Sequence, residues 1–222
     1  MRFDVNVIIE KLPEILAGLG VTLALWIAAT LGAIVLGFLT ATGRRYGGMA
    51  INAVLAVIVE ILRGTPFLIQ IFLLYYGGPF IGLSLDPIPC GLLGLTIYGA
   101  AYYSEIFRAG FGAVPLGHIE AAECLGMSRA QIVRRILLPE MAMLVLPPAV
   151  NMSVILMKET AILSIITVPE MTLTISAIGS QQYAFLESIF LLALIYWALV
   201  EITGRLGGLA EARLSRLRFQ TS

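Results

Sequence analysis

Charge is scarce in this chain. Only 13% of its 222 residues are Asp, Glu, Lys or Arg, and fourteen basic residues balance fourteen acidic ones. A soluble domain carries about twice that share, and the even balance excludes a basic nucleic-acid-binding surface. Cys90, Cys124 and the single histidine, His118, form no CxxC and no His-rich tract, which excludes a disulfide framework and a structural zinc site. No GxxxxGK[ST] occurs, so the chain has no loop that cradles ATP phosphates. Internal repeats and low-complexity tracts are also missing. Hydrophobe is what the chain has: 59% of residues, with a mean hydropathy of +0.95. That excludes disorder, and a water-soluble fold would have to expose large apolar patches. An integral membrane protein with about four to six spans remains.

The N-terminal stretch MRFDVNVIIEKLPEIL is interrupted by Asp4, Glu10 and Glu14, unlike a cleavable signal peptide, so the first span is expected to serve as its own insertion signal. Runs poor in charge place five spans at about 16–40, 50–77, 91–113, 136–157 and 184–206. The runs are continuously apolar and not alternating, so they read as helices and the fold as all-α. Arg44, Arg45, Arg129, Arg134, Arg135, Arg213, Arg216 and Arg218 fall on one side of the membrane, against Arg2, Lys11 and Lys158 on the other. The positive-inside rule then puts the N-terminus outside and the C-terminus in the cytoplasm. On that topology Cys90 and Cys124 face opposite sides and do not pair.

Residues 160–180 are apolar but broken by Pro169, Glu170 and Gly179, and read as a partly re-entrant or short-helix connection at the outer side. Residues 206–219 read as an amphipathic cytoplasmic helix whose arginines meet anionic lipid, and residues 3–15 as a segment lying on the outer interface. Gly18, Gly32 and Gly37 are expected to let span one pack closely on a neighbour. Asn151-Met152-Ser153 matches a glycosylation sequon but falls inside a span.

The loop between spans three and four, about 114–135, has its own chemistry. Ile119 to Leu125 is rich in helix formers, Gly126 sits where a left-handed C-terminal residue is wanted, and Ser128 is a natural N-cap for a second helix. Such a helix–Gly–helix elbow suits docking on a soluble partner; His118 reads as an ordinary loop histidine.

Here a family resemblance emerges. Glu120-Ala121-Ala122, then Gly126, then nine residues, then Ile136-x-Leu138-Pro139 resemble the EAA loop of ABC transporter permeases. Arg63-Gly64-Thr65-Pro66, Ala100-Ala101-Tyr102 with Glu105-Ile106-Phe107-Arg108, Pro147-Pro148 with Asn151, and Lys158-Glu159-Thr160 look like the polar amino-acid uptake (histidine/glutamine-type) permeases. The resemblance covers about residues 15–205. It implies one type I importer permease domain over residues 1–222, in the bacterial inner membrane, translocating a polar or charged amino acid. It further implies an ATPase subunit dimer that binds ATP and magnesium, an identical or paralogous permease copy, a periplasmic or extracellular amino-acid-binding protein, and contacts with membrane lipid. Glu120, Ala121, Ala122 and Gly126 are then the residues that couple to the ATPase. This chain has Lys158-Glu159-Thr160-Ala161 where the family commonly has Lys-Asp-Thr-Ser, and His118 where Gln is frequent.

Charges inside spans cost about 2.5–3.5 kcal/mol each on insertion scales and so mark function or pairing. Glu60 with Arg63 and Glu105 with Arg108 are spaced i, i+3 and are expected to pair. Lys158 and Glu159 are adjacent and point in different directions. A free amino acid needs partners of both signs. Glu159 and Glu60 suit its ammonium, Arg63 or Lys158 its carboxylate, and Glu105 lies further toward the cytoplasm. Five helices are too few to enclose a gated path, so a ten-helix dimer is expected. A self-contained channel or secondary transporter leaves the elbow unexplained and lacks an inverted repeat. An intramembrane enzyme lacks any Ser/His or metal-ligand constellation.

Overall fold

Proline and glycine punctuate a chain that otherwise folds as helix. The computed structural model describes residues 5–219, with side chains from Ile8 to Arg213; Arg2, Asp4 and the side chains of Arg216 and Arg218 lie outside the described residues. The helices are α1 (Val5–Glu10), α2 (Leu12–Tyr46), α3 (Gly48–Gly64), α4 (Phe67–Phe72), α5 (Pro87–Ala113), α6 (Leu116–Cys124), α7 (Arg129–Ile132), α8 (Leu138–Glu159), α9 (Met171–Gln181) and α10 (Phe185–Phe219). A π turn, Leu73–Gly77, and a 3-10 turn, Gly78–Ile81, extend α4. A second π turn, Val133–Leu137, joins α7 to α8, and a 3-10 turn, Thr160–Ile166, extends α8. No strand occurs among the described residues.

Three helical runs are long and apolar enough to cross a membrane: Leu12–Tyr46, Arg129–Ile166 and Phe185–Arg213. A fourth is a bent pair, Gly48–Gly64 with Phe67–Ile81, turning through 105°. Pro66 causes the bend: it has no N–H to continue the helix, and it forces Thr65 before it into an extended conformation (φ −112°, ψ 140°). The Gln70 amide caps the carbonyls left exposed, donating to Leu62 O at 2.6 Å and Thr65 O at 3.0 Å.

The remaining expected span, 91–113, falls on α5, which is not among the apolar runs. Its glycines and tyrosines lower its hydropathy because it is the enclosed centre of the bundle, packed on α2, α4 and α8. At Gly37 a Cβ would lie 2.6 Å from the Cβ of Tyr103, so only glycine permits the approach of α2 to α5. Tyr103 is wholly buried and its hydroxyl donates to Ala149 O at 3.0 Å; the Trp26 indole donates to Ser153 O at 2.8 Å. These bonds tie α8 to α5 and α2 and satisfy the Tyr103 and Trp26 donors inside the bundle.

The broken segment 160–180 does form short helices. Thr167 ends the 3-10 turn in the left-handed region (φ 63°), and α9 starts at Met171 with Glu170 as its N-cap. Residues 206–219 form no separate helix: α10 runs through them, with Gly207 pressed so closely on Val150 that a Cβ would meet its Cγ1 at 2.3 Å. Cys90 is buried, Cys124 is exposed, and both are free.

Candidate functional site

The elbow is built by local rules. α6 ends in two paired hydrogen bonds, Gly126 N–H to Glu123 O at 2.9 Å and Met127 N–H to Ala122 O at 3.1 Å. That closure requires a left-handed residue, and Gly126 supplies it at φ +72°. Ser128 then caps α7: its hydroxyl accepts from the Gln131 N–H at 3.4 Å, and the Gln131 side chain accepts from the Ser128 N–H at 2.8 Å. Ala122, Ile132 and Leu137 are buried and anchor the elbow, while Glu120, Ala121 and Gly126 are exposed. His118 is helical, on α6, and its Nδ1 lies 2.9 Å from both carboxylate oxygens of Glu140 at the start of α8.

A charged cluster sits between α2, α3 and α5. Glu105 is held by three arginines. Arg108 grips its Oε2 through Nη2 at 2.7 Å and Nε at 3.1 Å; Arg44 bonds its Oε1; Arg63 stands 3.6 Å from Oε2. The Glu105–Arg108 pair therefore forms as expected, and the Glu60–Arg63 pair does not. Arg63 turns instead toward Glu105 and over the ring of Tyr102, 5.4 Å from its centroid. Glu60 is exposed and lines, with Arg44, Arg63, Gly64 and Glu105, a cavity of about 450 Å³. Arg44 is the member that spacing along the chain did not reveal, since it comes from the end of a different helix, 61 residues away.

From Arg63 a file of polar groups continues along α5. The Tyr102 hydroxyl lies 3.4 Å from Arg63 O and 3.5 Å from the Tyr98 hydroxyl, and the two rings are 4.9 Å apart. Tyr98 precedes Gly99, which packs against Leu156, one turn before Glu159 on α8. Glu159 is half-buried, and its Oε2 is shielded from solvent without a hydrogen-bond partner. Its neighbour Lys158 is exposed. The candidate residues thus fall in two groups, Glu60–Arg63–Glu105 and Lys158–Glu159, bridged by two tyrosines.

A further buried acid is structural. Glu170, first read only as a helix breaker, caps α9 by accepting the N–H groups of Thr172 at 2.8 Å and Leu173 at 2.7 Å. Burial pushes its carboxyl up from the ordinary carboxylate range, and the two N–H bonds oppose that rise.

Long apolar helices packed around α5, with a charged cluster between α2, α3 and α5, define an all-α integral membrane protein. Residues 33–216 match the family described as binding-protein-dependent transport system inner membrane component. The chain is 31% identical over 211 residues to a probable amino-acid ABC transporter permease protein, YckA, of Bacillus subtilis (strain 168), covering 95% of this chain and 93% of that one. It is 30% identical to the arginine transport system permease protein ArtQ of the same strain, covering 96% and 98%. With the glutamine transport system permease protein GlnP of Escherichia coli (strain K12) it shares 33% identity, covering 78% and 80%. Among solved structures, an amino acid ABC transporter determined with histidines superposes with a TM-score of 0.89 at 31% identity, covering 96% of this chain and all of that one. The inward-facing MetNI methionine transporter shares the fold, with a TM-score of 0.72 at 22% identity. The chain belongs to the binding-protein-dependent inner-membrane permease family of ABC importers. It is a transport subunit and not an enzyme, and ATP hydrolysis falls to a separate ATPase subunit.

Proposed function

We propose that this permease imports a polar or charged amino acid through a path lined by the polar file on α5 and the end of α8. The observation that carries the reading is the run Tyr98, Tyr102, Arg63, Glu105, with Glu159 one turn beyond the point where Leu156 packs on Gly99. Glu159 offers a shielded, unpartnered carboxylate oxygen to an ammonium or guanidinium. Lys158 and Arg63 offer donors to the carboxylate, and Glu60 a second acceptor. Glu105, already saturated by arginines, closes the file toward the cytoplasm.

Five spans cross the bacterial inner membrane as one domain, with the N-terminus outside and the C-terminus inside. The clustering of Arg44, Arg45 and Arg108 around one cavity of about 210 Å³ supports that orientation, since it gathers the ends of α2 and α5 at one basic end of the bundle. Two permease copies, identical or paralogous, enclose the path. The support is the charged cavity, which is walled by α2, α3 and α5 alone, and the apolar face of α3, where only Val59 is buried. Glu120, Ala121, Ala122 and Gly126 dock the ATPase, which binds ATP and magnesium, and a soluble binding protein delivers the amino acid at the outer side.

Purification of the tagged permease with its ATPase tests this reading. The expected complex holds two permease and two ATPase copies, and its ATP hydrolysis rises when loaded binding protein is added. A lone permease that conducts solute without the ATPase would overturn it.

A further inference from the structure

The elbow reaches α8 by two routes. One is covalent and contains two soft points: the left-handed turn at Gly126 and the π turn Val133–Leu137, where the helix is locally widened. The other runs through space: Ile119 packs on the core cluster that holds Leu137 and Met141, and His118 contacts Glu140. His118 stands in the first turn of α6, and Glu140 follows Pro139 in the first turn of α8, just beyond the π turn. The ring Nδ1–H donates to the carboxylate, 2.9 Å from each oxygen. The contact therefore bridges 22 residues of chain and bypasses both soft points.

We propose that His118 is a positioning residue for coupling: with Glu140 it forms a strut that passes movement of α6 directly to the fourth span. The proposal rests on the reading of α6 as the helix that meets the ATPase. Without the strut, a push on α6 reaches α8 only through the apolar packing of Ile119 and through the turn at Gly126 and the π turn. With it, displacement of α6 directly displaces the first turn of α8. The charge on Glu140 makes the bond a strong one of its kind. Its bifurcated geometry also fixes the ring orientation.

The test uses the intact complex, its binding protein and sealed proteoliposomes, and reads ATP hydrolysed per amino acid imported. His118→Ala and Glu140→Ala should each raise that ratio by about two- to thirtyfold, the range seen for residues that carry coupling between sites. The double variant should be no worse than either single one, because both remove the same contact. His118→Gln, whose amide donates to the same carboxylate, should restore the wild-type ratio, a rescue that a general packing defect does not show. If the alanine variants fail to assemble, Glu140→Gln decides, since it keeps shape and removes charge; the ratio should then rise about twofold or more. An unchanged ratio, or single effects that multiply in the double variant, overturns the strut. A wild-type complex that hydrolyses ATP without importing any amino acid overturns instead the functional reading beneath it.

Discussion

Replacing Glu159 with Gln removes a charge and keeps the volume. The Glu159 Oε2 is shielded and unpartnered. Such an atom carries a desolvation cost of about 1–3 kcal/mol that a bound donor recovers. An ammonium or guanidinium on that oxygen contributes about 1.5–3 kcal/mol as a hydrogen bond to a charged group. Glu159→Gln forfeits most of it, so uptake at limiting substrate should fall roughly ten- to a hundredfold. ATP hydrolysis by the assembled complex should persist, because the elbow is untouched. The assay is labelled amino-acid uptake into proteoliposomes below saturation, with complex integrity checked by size exclusion. Unchanged uptake in an intact complex would refute the reasoning and shift the substrate contact to Glu60 and Arg63.

Other outcomes follow from the same geometry. Gly126→Val places a β-branched residue at φ +72°; the strain of about 1–2 kcal/mol misaims α6. Transport and substrate-stimulated hydrolysis should fall together while membrane insertion survives. Glu105→Gln removes the carboxylate that Arg44, Arg63 and Arg108 share; thermal unfolding in detergent should show a loss of about 1–3 kcal/mol. Glu170→Ala strips the cap from α9 and should cost about 1–2 kcal/mol by the same measurement, whereas Glu170→Gln keeps an acceptor for the buried N–H groups and should cost less.

Features set by neighbours in the chain were readable from the sequence, and features set by distant helices were not. Gly126 and Ser128 announce the elbow because each satisfies backbone groups within three or four residues. Pro66 acts locally too, through φ, yet the expected span 50–77 runs straight across it; Gly37 reads as a packing glycine, and it meets Tyr103 of α5. The Glu60–Arg63 pairing failed because helical spacing offers a partner that tertiary structure can better. The chain bends by 105° just after Arg63, and Glu105 from α5 takes its guanidinium. Arg44 reads as a loop charge until α2 is packed on α5. Residues 206–219 read as a separate helix, yet α10 runs on through them, with Gly207 packed against Val150. His118 gave no signal, because its partner Glu140 lies across the elbow.

Reconstituted uptake with ATP confined to the ATPase side is the most direct measurement. Permease, ATPase and binding protein are placed in sealed proteoliposomes, and labelled amino acids are offered on the binding-protein side. Accumulation of a polar or charged amino acid above its outside concentration is expected with hydrolysable ATP, and none with a non-hydrolysable analogue. Equal flux in both conditions, or flux through the permease alone, would contradict ATP-driven import.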